Sequence, residues 1–242
     1  MTKEELAKYI DHTLLAPDAT ENQICLLCQE ARSYGFASVC INPCYVSLAK
    51  KELQKTDIKV CTVIGFPLGA NTTKIKCLEA KNAISNGADE VDMVINIGKA
   101  KQGDFSFIES EIKAVVRVVQ NEKTKRNRPI LLKVIMETCL IDDDTLVNCC
   151  LCAKKAGADF VKTSTGFASP KDTNGRGLPN GASEHHVKIM RKTVGDSIGV
   201  KASGGIRSSK MAALMIKSGA NRIGTSSGVN IVNNWDDSLN CY

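Results

Sequence analysis

A glycine, usually followed by alanine, closes a helical stretch and opens an apolar run four times in this chain. The segments are SYGFASVCIN (33–42), SNGADEVDMVI (85–95), KAGADFVKTS (155–164) and KSGANRIGTS (217–226). Glycine suits the left-handed position that ends many helices. A short apolar run bounded by small polar residues suits a buried parallel strand. Helix, Gly-Ala, strand, repeated along a chain, means βα units. The pattern predicts eight strands, a short one at 10–14 and then about 37–41, 58–64, 90–96, 130–136, 159–163, 198–202 and 221–224. Helical patterns separate them at about 20–34, 43–55, 73–86, 104–121, 142–156, 183–194 and 207–218. Eight alternating units in 242 residues describe an α/β chain folded as a single (β/α)8 TIM barrel. An open doubly wound sheet is the competing arrangement, and it is disfavoured because no GxGxxG or GxxxxGK[ST] follows the first strands. With no linker or low-complexity tract, residues 1–242 are expected to form one domain, with a disordered tail from about 233 to 242.

Several classes of function drop out. The first residues, MTKEELAKYIDHT, are hydrophilic and carry no export-signal pattern. No run approaches the roughly 18 apolar residues of a membrane span. The eleven cysteines fall in helical and strand patterns and read as reduced thiols of a cytoplasmic protein. Cys25 and Cys28 form a CxxC on a helix with no second Cys/His pair at zinc spacing, so core filling is the expectation, as for Cys149, Cys150 and Cys152. The basic run KTKRNR (123–128) lacks interleaved aromatics and is expected to be a solvated loop rather than a nucleic-acid patch. The net charge of +6 would favour a small anionic substrate.

Chemistry enters with lysines placed in apolar strands: ILLKVIMET (Lys133), ADFVKTSTG (Lys162) and SIGVKASGG (Lys201). Lysine is almost never fully buried without a partner. In a barrel the active site is built at the C-terminal ends of the strands. That rule gathers Asp11, Thr13, Cys40, Asn42, Asp92, Asn96, Lys133, Glu137, Lys162, Thr163, Lys201 and Ser203. Alternation along a strand points Asp92, Val94 and Asn96 the same way. An amine nucleophile, a second amine and a carboxylate are what imine chemistry requires. One lysine attacks a carbonyl, a second cation favours its free-base form, and the carboxylate helps move protons. A buried structural ion pair between Asp92 and a lysine is the competing reading. His12 should point into the barrel wall, and His185 and His186 open a helix after a loop, so none of the three is expected in catalysis. Cys40 either looks into the pocket or packs as a strand thiol. No metal-ligand cluster is visible in the sequence, and the imine scheme calls for neither metal nor cofactor.

Two glycine-rich turns suggest a phosphate site. ASGGIR follows strand seven and GTSSGVN follows strand eight, where barrels of this type commonly hold phosphate on free backbone N–H groups. Gly204, Gly205, Gly224, Ser226 and Ser227 are the candidates, with Gly166 of TSTG as a third wall.

In this order, YIDHTLL, EVDMVINIG, LLKVIMET, FVKTSTGF, VKASGGIR and GTSSG resemble the 2-deoxy-D-ribose-5-phosphate aldolase family, from about residue 6 to 232. The resemblance implies a class I, imine-forming, metal-independent aldolase that splits deoxyribose 5-phosphate into glyceraldehyde 3-phosphate and acetaldehyde. Lys162 in VKTSTG then matches the Schiff-base lysine, Lys201 in VKASGG its perturbing partner, and Asp92 the proton-relay carboxylate. Asp11, Thr13 and Thr165 match positions that line the sugar site. Gly166, Gly204, Gly205, Ser226 and Ser227 match phosphate positions. The expected partners are a small phosphosugar and a second copy of the chain in a homodimer, with no nucleic acid or membrane. Another imine-forming phosphosugar aldolase or a transaldolase barrel is the alternative. Three features depart from the family pattern. The segment ASPKDTNGRGLPNGASEHH (168–186) is long, Phe167 stands where some members carry lysine, and the tail NNWDDSLNCY lies outside the resemblance. That tail ends in Tyr242, and a C-terminal tyrosine assists proton transfer in some members.

Overall fold

The computed structural model describes residues 1–236. The chain runs α1 (Lys3–Ala7), β1 (Ile10–Leu14), α2 (Glu21–Tyr34), β2 (Ser38–Ile41), α3 (Val46–Glu52), β3 (Lys59–Ile64), α4 (Thr73–Ser85) and β4 (Glu90–Val94). It continues through α5 (Ile97–Lys101), α6 (Phe105–Arg126), β5 (Leu131–Ile135), α7 (Asp143–Ala156), β6 (Phe160–Lys162) and α8 (Glu184–Val194). The last elements are β7 (Gly199–Ser203), α9 (Ser209–Lys217), β8 (Arg222–Thr225) and α10 (Gly228–Asn233). Each strand pairs in parallel with the next, and β8 pairs with β1 to close the barrel. This is the (β/α)8 arrangement that the repeated junctions predict. At two of those junctions, Gly35 (φ 67°) ends α2 and Gly157 (φ 89°) ends α7 in the left-handed conformation expected there. Apolar residues of the strands' outer faces and of the helices' inner faces form one continuous core.

All eight strands lie where the pattern places them, within two residues at each end. The helices differ more. α6 runs to Arg126, through most of the KTKRNR stretch expected to be loop. Its last turn carries Lys123, Lys125 and Arg126, which suit the negative end of the helix dipole, and Arg126 Nε reaches Glu122 at 2.9 Å. The helix expected over 43–55 breaks into a single 3₁₀ turn at Pro43–Tyr45 and then α3. α1, α5 and α10, of five, five and six residues, are too short to show a helical period in the sequence. Residues 233–236, expected to begin a disordered tail, are ordered. Trp235 is buried, and its Nε1 donates to the Met1 carbonyl at 3.0 Å. Tyr242 lies outside the described residues. None of the helices among the described residues is long and apolar enough to cross a membrane.

Candidate active site

Neighbouring strands bring the charged residues together. β4 and β5 pair Asp92 with Lys133, β6 and β7 pair Lys162 with Lys201, and β7 and β8 pair Lys201 with Arg222. Their side chains enter the barrel and converge on one carboxylate. Asp92 Oδ1 accepts from Lys133 Nζ at 2.8 Å, and Oδ2 accepts from Lys162 Nζ at 2.9 Å and Lys201 Nζ at 2.8 Å. A second set of contacts lies around Asp11. Its Oδ2 meets Lys201 Nζ at 2.6 Å, and its Oδ1 accepts from Ser38 Oγ at 2.7 Å and from Arg222. Arg222 also forks onto Glu90 at 3.0 and 3.1 Å, and Glu90 reaches Lys133 at 2.6 Å.

Burial and charge oppose each other here. Burial by itself would raise Asp92, but the ammonium groups of Lys133, Lys162 and Lys201 outweigh it and hold the carboxyl well below the usual range. Asp11 is lowered likewise, burial being outweighed by Arg222 and then Lys201. Burial would strip Lys201 and Lys133 of their protons. Asp11 and Asp92 outweigh it at Lys201, and Asp92, Cys61 and Glu90 at Lys133, so both are raised and remain ammonium ions. The cluster therefore sets four basic side chains (Lys133, Lys162, Lys201, Arg222) against three carboxylates (Asp11, Glu90, Asp92). Lys162 touches one of these carboxylates, Asp92, and shares it with two other lysines.

A cavity of about 390 Å³ opens above this cluster at the C-terminal ends of β1, β6, β7 and β8. Of the site residues named from sequence, Thr13, Lys162, Thr165, Lys201, Ser203, Gly204, Gly205, Gly224 and Ser226 line it. Asp92 lies one contact below, behind Lys162. Asp11 and Lys133 are deeper in the network. Cys40 is fully buried with Cys61, Leu15 and Val63, behind the cavity wall to which Leu15 belongs. Its thiol is pulled down to about 7, chiefly by a hydrogen bond with Cys61. Gly166 (φ 86°) packs beside Gly204, and the Ser227 amide turns back to Thr225 Oγ1 at 2.9 Å. Gly224 has a reason of its own: a Cβ there would sit 3.0 Å from Lys201 Cε and 2.8 Å from Ser203 Cβ, so glycine lets the lysine pass. His12 points out of the barrel to Glu30 Oε2 at 2.6 Å, as alternation requires. Asn96 lies beyond the end of β4 and caps α5 instead of extending the inward row of Asp92 and Val94.

The sequence profile of the DeoC/LacD family aldolases matches residues 6–234. The chain belongs to that family. This aldolase is 53% identical over 239 residues to a protein from Caldanaerobacter subterraneus named deoxyribose-phosphate aldolase, with 97% of each chain covered. It is 54% identical over 228 residues to one of the same name from Clostridium tetani, covering 94% of this chain and 98% of the other. Among solved structures it matches the tetrameric deoxyribose phosphate aldolase of Aeropyrum pernix with a TM-score of 0.82 and 35% identity, over 96% of this chain and 91% of that one. It matches an aldolase designated QR15 at 0.83 and 37%, over 94% of each chain.

Two parts of the candidate site escape the sequence reading, and a third, Glu137, is named there without its task. Arg222 and Glu90 join the charged cluster. Both carry the same signal as the lysines, a charge on the inward face of an apolar strand, Glu90 two residues before Asp92 and Arg222 two before Gly224. Arg207, in the quoted ASGGIR turn, lines the cavity and supplies a cation on the wall where Phe167 does not. Glu137 is held at φ 53° and buried, with its carboxylate accepting from the Thr165 amide at 3.2 Å. It fixes the turn that carries Thr165 into the cavity.

Proposed function

We propose that this aldolase is a class I deoxyribose-phosphate aldolase of the cytoplasm and that Lys162 is its nucleophile. The observation that carries the reading is the placement of Lys162. It is the cluster amine with one carboxylate contact, and its side chain opens into the cavity between the Gly204–Gly205 and Gly224–Ser226 turns.

The scheme proposed runs as a retro-aldol cleavage through an imine. Lys162 Nζ attacks the aldehyde carbon of the open-chain sugar, and loss of water gives the protonated imine. A base takes the proton from the hydroxyl at C3. The C2–C3 bond breaks, its electron pair moves into the imine to form an enamine, and glyceraldehyde 3-phosphate leaves. Protonation of the enamine at C2 and hydrolysis release acetaldehyde and return the amine. Asp92, within 2.9 Å of Lys162 Nζ, is placed to relay protons through the carbinolamine. Lys201, anchored between Asp11 and Asp92, supplies a fixed positive charge beside the nucleophile. Thr13 and Thr165 offer hydroxyls to the sugar. Gly204 and Gly205, both with φ near 80–90°, turn the chain so that backbone N–H groups and Arg207 can meet the 5-phosphate. A homodimer is the proposed assembly, to be checked by light scattering.

Borohydride treatment in the presence of acetaldehyde, followed by peptide mass spectrometry, tests the reading. The expected adduct is on Lys162. An adduct on Lys133 or Lys201 overturns the assignment, and trapping with dihydroxyacetone but not acetaldehyde would indicate a transaldolase-like donor.

A further inference from the structure

On the outer ring of helices, away from the cavity, the fold assembles a group that the sequence keeps apart. Asp143 is the first residue of α7, and His185 and His186 are the second and third of α8. One ligand atom from each lies within 4.8 Å of the others. His185 Nε2 stands 2.7 Å from Asp143 Oδ2, and the two imidazole rings are 5.4 Å apart. None of the three lines the 390 Å³ cavity.

A simple His–Asp ion pair accounts for only part of this. It uses His185 and leaves His186 unexplained. His186 Nε2 points at the other oxygen of Asp143 from 4.0 Å, beyond hydrogen-bonding reach. Its Nδ1 is buried and has no hydrogen-bond partner among the described residues. Two imidazoles and a carboxylate are the ligand types that zinc, nickel and copper take. Ligand atoms on a tetrahedral zinc ion stand roughly 3.3–3.5 Å apart, as bonds of about 2.0–2.2 Å require. The Asp143 contacts of His185 at 2.7 Å and of His186 at 4.0 Å lie on either side of that figure. Both helix starts present positive dipole ends, which would repel a cation. Acidic residues offset this: Asp142, Asp143 and Asp144 at the start of α7, and Glu184 at the start of α8.

We propose that Asp143, His185 and His186 form a surface site for one divalent transition-metal ion of the zinc class, with water completing the shell, and that the ion fastens the start of α8 to the start of α7. The consequence reaches the cavity by a short path. Ala182, just before α8, donates its amide to the Gly204 carbonyl at 3.1 Å, and a Cβ on Gly181 would collide with that same carbonyl. Fixing the start of α8 thus holds the end of the 168–182 segment against the turn that carries Gly204 and Gly205. The ion has a positional task and takes no part in the aldol chemistry.

The test uses the full chain washed with chelator and then titrated with zinc by calorimetry. One equivalent should bind, and the thermal midpoint should rise with free zinc. His185→Ala, His186→Ala and Asp143→Asn should each weaken binding by more than the roughly tenfold lost when even an outer partner of a metal site is removed. All three should keep the aldolase activity of the metal-free protein. His185 is largely exposed, so its variant tests the site even if His186→Ala folds poorly. Cobalt in place of zinc should give a visible spectrum without thiolate charge transfer. No zinc binding, equal binding by wild type and His185→Ala, or a thiolate band assigning the metal to cysteines would each overturn the proposal.

Discussion

A lysine in a barrel interior is costly unless its charge is answered, and here the answers are unequal. Lys133 has Asp92 and Glu90, Lys201 has Asp92 and Asp11, and Lys162 has Asp92 alone. Lys162→Ala should therefore lose cleavage of deoxyribose 5-phosphate by several orders of magnitude while the barrel stays folded, as circular dichroism will check. Lys201→Leu removes the fixed cation beside the nucleophile. Its activity near neutral pH should fall steeply and its residual optimum should move upward, because a neighbouring positive charge favours a free amine. An unchanged pH profile removes Lys201 from that role. The same residues make a prediction about stability. Asp92 and Asp11 are lowered, so what they contribute is present above the unfolded carboxyl value and is lost as pH falls through the folded one. Lys133 and Lys201 are raised, so theirs is present below the unfolded lysine value and is lost as pH rises through the folded one. Between about pH 4 and pH 10 neither changes. Urea midpoints of wild type and Lys201→Leu should run parallel from about pH 4 to pH 6 and converge in acid, while above that the Cys40 thiol, which Lys201 helps to lower, adds its own change. A gap that varies between about pH 4.5 and pH 6 would show that other groups set the difference.

At the scale of elements, the turns and helix contacts carry the consequences. Gly205 has open space around a Cβ, the nearest atom being the Asn180 carbonyl oxygen at 3.9 Å, but its φ of 77° disfavours any side chain. Gly205→Val should deform the turn and fill the approach to its N–H groups. The variant should lose most of its preference for deoxyribose 5-phosphate over free deoxyribose, while acetaldehyde still traps on Lys162. Retained preference would move the phosphate towards Lys171 and Arg176 in the 168–182 segment. A second contact joins α4 to α6. Lys76 Nζ reaches Glu111 Oε1 at 2.9 Å and the Val94 carbonyl at 2.8 Å, and both side chains are fully buried. Removing one member leaves a buried charge without its partner, so Glu111→Leu should cost about 3–5 kcal/mol, whereas Lys76→Met with Glu111→Leu should recover most of it. Thermal denaturation of the single and double variants decides this. Equal loss in both would show that the pair stabilises in its own right.

Across the whole molecule, what the sequence discloses depends on how unusual a residue is in its own element. Lys133, Lys162, Lys201 and Asp92 stand out because a charge inside an apolar strand has few explanations. Lys76 and Glu111 do not stand out. On amphipathic helices each resembles a solvated residue, and only the packing of α4 against α6 and β4 buries them. Asp143 and His185 are 42 residues apart, and no local pattern joins them until the barrel sets α7 beside α8. The eight strands are legible because the Gly-Ala junctions repeat, while α1, α5 and α10 are too short for the helical period to repeat in the sequence. The two centres can be separated by one experiment. The lysine cluster provides its own electron sink in the protonated imine, so exhaustive chelation should leave the rate of cleavage unchanged. The same chelation should lower the thermal midpoint of wild type, which added zinc should restore, and should leave His185→Ala unaffected, because that variant lacks a ligand of the ion. Loss of activity on chelation, recovered with zinc, would overturn the imine mechanism. An unmoved midpoint with activity intact would leave the lysine chemistry standing and remove the metal site.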